Sequence, residues 1–323
     1  MSAAEGTRRQ EVLLVAQIAA HGETNHTYML APVMRTLRCG SNALPFWCPP
    51  VASGRRKAYL TKLVAQRPDV SGPLQGMNAA LPRCNASVLL SHVPLGAACT
   101  FVWIGEAFSR SSINLAQLRP RCTTINYQTE PDELEGRAKS RWNGVWSYTR
   151  KHLSSLYAPP RYDPSAPAVT HEDTRPIFVG FWKYRSVGCE LVRNAPSSLR
   201  MVEYVWSDED LTAAVGNGSI FVNIHKQCSA PQPPLESLRV SQLLSRGALI
   251  VSQRSWHADE AEFEGLVDFV DDSLFWGRVN ELAALAVPQR QAMAQERVRR
   301  FARWHSQDCY YQAARHPAGS GST

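Results

Sequence analysis

The chain is 323 residues long and carries a formal net charge of +7, with a pI of about 9.1. No run approaches the ~20 apolar residues of a membrane span, and none of the eight cysteines forms a CxxC pair. The basic excess is spread along the chain apart from ERVRRFAR at 296–303, which lacks the aromatic interleaving of a nucleic-acid module. A membrane-spanning protein, a zinc ribbon and a nucleic-acid binder are therefore disfavoured. No disulfide framework is implied, free buried thiols are expected, and ERVRRFAR reads as a solvated helix face. A mild positive field suits an anionic ligand such as a nucleotide diphosphate.

In chain order, EVLLVAQIA (11–19) follows a basic start. Glu11 and Gln17 interrupt its apolar run, so it reads as a first core strand and not as a signal peptide. HGETNHT leads into the helix-like YMLAPVMRTLR. ASVLLSHV (86–93) and CTFVWIG (99–105) read as two strands, and TTINYQTE (123–130) as another that ends in polar residues. RAKSRWNGVWSYTRKHLSSL (137–156) reads as partly helical and broken at Gly144. The proline-rich LYAPPRYDPSAPAVTHEDTRP (156–176) is the best linker candidate. The alternation then restarts with IFVGF (177–181), LRMVEYVW (199–206), SDEDLTAAVGNG (207–218) and IFVNIH (220–225). VDFVDD (267–272) gives one more short strand, and 287–314 gives a long terminal helix. Three sequons, at Asn25, Asn85 and Asn217, read as chance matches without a secretory signal. The expected location is cytoplasmic, with peripheral membrane contact left open.

Strand–helix alternation on both sides of a linker predicts an α/β protein of two halves with parallel sheets. The expected domains are 1–163 and 164–323, the latter closing with the terminal helix. No GxGxxG, GxxxxGK[ST] or GxSxG is present, so dinucleotide binding, a P-loop and a nucleophile elbow are disfavoured. Helix N-termini remain as the phosphate device. FVNIHKQCSAPQPPLESLRVSQLLSRGALIVSQ (221–253) is a strand, a loop, a helix and a second strand. Pro234 reads as the first helical residue, Glu236 and Arg239 as an i, i+3 pair, and Gly247 as the C′ residue. Val240, Leu243 and Leu244 are expected to face the sheet. His225 and Lys226 end the first strand, where they serve either as phosphate donors or as an unremarkable exposed loop pair.

VNIHKQCSAPQPPLESLRVSQLLSRGALIVSQRS resembles the carboxy-terminal donor segment of two-domain GT-B glycosyltransferases, with its V-N-I-H strand, L-E-x-x-R and small-residue turn. INYQTEP (125–131), GVWSYTRKHLSSLY (144–157), PPRYDP (159–164), PIFVGFWKYRS (176–186) and VDFVDDSLFWGRVNELAAL (267–285) resemble further marks of that family, in the same order. The resemblance spans roughly residues 120–300. It implies two Rossmann-like domains with a cleft between them, 1–163 on the acceptor side and 164–323 binding the nucleotide sugar, and a glycosyltransferase of hexosyltransferase type that uses a nucleotide sugar as substrate, needs no cofactor or obligatory metal, and acts on an unspecified acceptor. By position, Gly180, Lys183 and Arg185 would lie near the phosphates, with His225, Lys226, Glu236, Arg239 and Gln242 completing the donor site. Gln242 stands where a donor-binding Glu is common, and Ser147 where Asp is common.

His21 and Glu130, in the first domain, are the candidate catalytic bases. Each residue also has a plainer reading. His21 can be a loop histidine, Glu130 an ion-pair partner, Lys183 and Arg185 a solvated loop, and Glu236 a capping group. Trp182, Tyr184 and Trp256 can stack on a base or pack at the rim. A non-catalytic nucleotide- or sugar-binding module and a sugar-nucleotide epimerase or hydrolase are the alternatives on the same scaffold.

Overall fold

The computed structural model describes residues 11–18, 42–48, 85–105, 113–129, 139–158, 162–163, 166, 175–180, 182, 185, 189–202, 208–225 and 231–305. Described residues up to Trp146 belong to one compact unit and those from Ser147 on to a second.

A six-stranded sheet runs in the order β2-β1-β3-β4-β5-β6, its strands β1 to β4 lying in the first unit. Its strands are β1 (Glu11–Ile18), β2 (Asn42–Cys48), β3 (Ala98–Ile104), β4 (Cys122–Gln128), β5 (Gly144–Ser147) and β6 (Leu156–Tyr157). β1 runs parallel to β2 and β3, and β3 parallel to β4. Leu13, Leu14 and Val15 are fully buried, as expected of an apolar run covered on both faces of a parallel sheet. Val12, Leu14, Phe101 and Trp103 share a core with Ala86 and Leu89 of α1 (Ala86–Ser91) and with Leu115 and Leu118 of α2 (Leu115–Leu118).

Two sequence expectations are corrected in this unit. ASVLLSHV is a helix, not a strand. Asn85 caps it, accepting from the Val88 amide at 2.9 Å, and the buried Ala86, Leu89 and Val93 follow an i, i+3, i+7 stripe. The segment after residue 140, expected to be partly helical, forms β5 and β6. Asn143 Oδ1 accepts from the Thr124 amide at 2.9 Å and from its hydroxyl at 2.8 Å, fastening the entry to β5 onto β4.

The expectation of free thiols is also corrected. The β3–β4 register places Cys99 opposite Cys122, and the two form a disulfide. Cys189 is disulfide-bonded as well. A spacing of 23 residues gives no sign of such a pair in the sequence. Sheet register creates it, and it removes the thiol-based reason for expecting a reducing compartment.

The second unit holds a five-stranded sheet of order β11-β10-β9-β7-β8. These strands are β7 (Ile177–Val179), β8 (Arg200–Val202), β9 (Ile220–Asn223), β10 (Leu249–Gln253) and β11 (Val267–Val270), all paired in parallel. Helices α3 (Glu190–Arg193), α4 (Asp208–Ala214), α5 (Ser237–Ser245), α6 (His257–Glu262), α7 (Asp272–Ala284) and α8 (Val287–His305) accompany the strands. One apolar layer joins Val240, Leu243 and Leu244 to Phe221, Ile250 and Phe301. The other joins Phe275, Val279 and Leu282 to Phe178, Val222 and Val251. The chain winds outward in both directions from β7 and β9, so the strand order reverses between them. Ligands of doubly wound sheets bind beyond the carboxyl ends of the strands at such a point.

The proline-rich stretch is anchored on this second unit. The Tyr162 ring meets Phe301 edge-on at 6.0 Å, and the Asp163 amide donates to Ser245 Oγ at 2.9 Å. The basic run at 296–303 is not simply a solvated face. Arg297 reaches Asp268 at 2.6 Å, and Arg300 donates to the Gly265 carbonyl. Among the described residues, no helix is long and apolar enough to cross a membrane.

Candidate functional site

β9 is buried along its whole length and ends in Ile224 and His225. The reason for a polar end lies in the neighbouring strand. β10 also ends in polar residues, and Gln253 Oε1 accepts from the His225 amide at 3.0 Å. Gln253 Nε2 donates to Asp272 Oδ1, in the first turn of α7, at 3.0 Å. The His225 ring is buried, and its Nε2 lies 3.0 Å from Ser255 Oγ. Among the described residues its Nδ1 has no hydrogen-bond partner. Burial lowers the imidazole pKa, while Glu236 opposes that shift. The lowered pKa favours the neutral ring, with Nδ1 left open among the described residues.

Arg185 follows β7 and crosses to the same corner. Its Nε donates to the Ile224 carbonyl at 2.7 Å, and its Nη2 meets Glu236 Oε1 at 3.2 Å. The guanidinium lies 5.0 Å from the Phe178 ring centroid. Arg239 takes the other Glu236 oxygen at 2.5 Å. Burial works to raise the Glu236 pKa, but Arg239 and Arg185 overcome it and hold the carboxyl at about 2. Two guanidiniums, one carboxylate and a neutral imidazole leave one net positive charge. Glu236 sits at the N-cap position of α5 without a side-chain capping bond, so the helix presents its positive N-terminal end here. The arrangement can hold an anion.

Gly180 is required by its backbone, with φ at +133°, a conformation that side-chain-bearing residues rarely adopt. Gly247 closes α5 as expected, with φ at +79°. Its amide donates to Leu244 O and the Ala248 amide to Leu243 O, the paired bonds of a Schellman turn. A Cβ at Gly247 would also lie 2.7 Å from Asn217 Oδ1.

No protein-family model matches the chain, and no curated protein matches it. Solved structures do. A glycosyltransferase from Rickettsia africae aligns over 96% of this chain and 97% of its own, at 11% identity and a TM-score of 0.50. An alpha-glucosyltransferase in complex with UDP and a DNA 13-mer containing an HMU base aligns over 95% and 99%, at 8% identity and a TM-score of 0.51. The fold is that of the GT-B glycosyltransferases.

In this GT-B chain, five of the residues singled out from the sequence come together: Gly180, Arg185, His225, Glu236 and Arg239. Gln242 is buried in the middle of α5, where its carbonyl accepts from Arg246. His21, Glu130, Lys183 and Lys226 lie outside the described residues. Pro234 is not the first helical residue. α5 starts at Ser237, because the Leu235 amide is drawn out to Asp259 at 3.2 Å. Ser147 is fully buried, 2.7 Å from His152 Nδ1.

Sequence reasoning passed over Gln253, Ser255 and Asp272, which fix His225. The signal was present, since ALIV runs into Ser-Gln-Arg-Ser just as FVNI runs into His-Lys. It also passed over Thr149 and Asp259, which are 110 residues apart and bonded at 2.5 Å.

Proposed function

We propose that the chain is a glycosyltransferase that takes a nucleotide-sugar donor and seats its diphosphate beside His225 and the Arg185–Glu236–Arg239 cluster. The observation that carries this reading is a buried His225, its Nδ1 open among the described residues, placed next to the Arg185–Glu236–Arg239 cluster at the switch point of the second sheet. His225 would hydrogen-bond a phosphate oxygen, and Arg239 with the α5 N-terminus would offset the charge that develops as the sugar leaves. Arg185, tied to Ile224 O and Glu236, would hold the corner in shape. Lys226 follows His225 directly in the chain and is proposed as a further phosphate partner, with Lys183 and Gln242 as secondary donor contacts. His21 and Glu130 are proposed as bases acting on the acceptor. On this reading the protein's own cations neutralise the leaving group, so chelators leave turnover intact.

The test is binding followed by turnover. UDP, GDP and ADP are titrated calorimetrically, and release of nucleoside diphosphate is then followed across a panel of nucleotide sugars with and without EDTA. Binding of one diphosphate, weakened about tenfold in His225→Ala, is the expected result. Binding without turnover on a broad acceptor panel favours a binding module. Absence of any binding overturns both readings.

A further inference from the structure

Asp259 stands three residues after Trp256, the N-cap position of α6. A carboxylate there ordinarily turns back onto the N-cap amide of its own helix. Here that amide donates to Pro233 O at 2.8 Å. Asp259 is buried and turns outward, accepting from Thr149 Oγ1 at 2.5 Å, the Arg150 amide at 2.8 Å and the Leu235 amide at 3.2 Å. Leu235 immediately precedes Glu236. The same loop is tied at two more points, by Lys151 Nζ to Gln232 O at 3.1 Å and by Ser237 Oγ to Tyr148 O at 2.7 Å. Gln232 is held at a positive φ of 45°. The ties at Gln232 O, the Leu235 amide and Ser237 Oγ fall on the short stretch that delivers Glu236 and the α5 N-terminus.

We infer that Asp259 and Thr149 are positioning residues for the anion corner: residues 148–151 and the start of α6 clamp the 232–237 loop so that the Glu236 carboxylate meets both arginines. The inference rests on the reading of that corner as the diphosphate site. Neither residue touches the ligand. They act through the Leu235 amide, which sets where the next residue's side chain begins. A buried carboxylate that accepts three bonds keeps its place only while all three donors stay aligned. Loss of the Thr149 hydroxyl frees one oxygen of Asp259 to turn, and the Leu235 amide loses its fixed acceptor.

The test uses the full chain with Thr149→Val, Thr149→Ser as the conservative rescue, and Asp259→Asn as a second variant. Titration of Glu236, followed by carboxyl carbon NMR, decides the inference. Its midpoint, about 2 in the native protein, is expected to rise towards the ordinary carboxylate range in Thr149→Val and to return in Thr149→Ser. A native-like midpoint in folded Thr149→Val overturns the inference, whatever the melting temperature does. Nucleoside diphosphate affinity should fall roughly tenfold in Thr149→Val, the scale of one hydrogen bond to a charged group, and further in Asp259→Asn. If the native chain binds none of UDP, GDP and ADP, the diphosphate reading fails while the Glu236 titration still decides the clamp.

Discussion

The two sheets end differently. At the carboxyl end of β4 the described polar side chains, Asn126 and Thr129, are neutral. Asn126 Nδ2 donates to Gly105 O at 3.1 Å, while Asn126 Oδ1 and Thr129 Oγ1, both buried, have no hydrogen-bond partner among the described residues. At the carboxyl end of β9 the groups are charged and mutually paired through Glu236. The first unit also carries a covalent tie, Cys99–Cys122, across β3 and β4, whereas β9 and β10 are joined at their ends by the hydrogen bonds of Gln253 and Ser255. Among the described residues, one sheet end carries neutral polar side chains and the other carries paired charges. The same strand topology carries both, because chemistry at a strand end is set by the few residues after the last buried position.

The largest expected effect tests the charged end. Glu236 ionises at about 2 in the fold against an ordinary 4.5. Its contribution to stability is therefore fully present above pH 4.5 and is lost as pH falls towards 2, and it amounts to about 3 kcal/mol. Urea unfolding of native protein and Glu236→Gln between pH 6 and pH 2.5 should show the native curve falling through that window. The variant should lack this step and be less stable at neutral pH. Parallel curves would mean that the two arginines do not hold the carboxylate.

The covalent tie comes next. It closes a sequence separation of 23 residues, for which loop-closure entropy gives about 3 kcal/mol. Cys99→Ser with Cys122→Ser should lower stability by that order, and tryptic mapping without reductant should recover the two cysteines in one linked peptide. Recovery of both as alkylated thiols would remove the contrast between the sheets on this point.

The smallest effect concerns the neutral end. Asn126→Ala gives up one bond to Gly105 O and also removes an oxygen with no partner, so its cost should be about 1 kcal/mol. A loss several times larger, read from urea midpoints, would show that Asn126 holds more of the β3–β4 ends than the bond to Gly105.

Much of the charged corner was legible in advance. His225, Glu236 and Arg239 sit within one strand–loop–helix stretch, and the helix period and the turn glycine at 247 fix their local geometry. Arg185 was placed by resemblance of its loop, and the pairing with Glu236 is a distance across 51 residues. What misled was local. The short apolar run Val88, Leu89 and Leu90 reads as a strand, yet the Asn85 cap and the buried stripe made a helix. The segment around Trp146 looked helical, yet a bond between Asn143 and Thr124 made it a strand.

By itself the sequence determined the alternation of strands and helices, the two α/β halves and the polar strand end at His225. These depend on periodicity and on residues that are neighbours in the chain. Only the tertiary structure decided the Cys99–Cys122 pair, the Asp259 clamp and the convergence of Arg185 on Glu236. Each joins groups distant in sequence, and parallel register or the crossing of a loop over a strand end brings them within bonding distance. No local preference encodes that distance. It follows from burying the apolar faces of both sheets, which leaves the polar residues at the strand ends with few places to go.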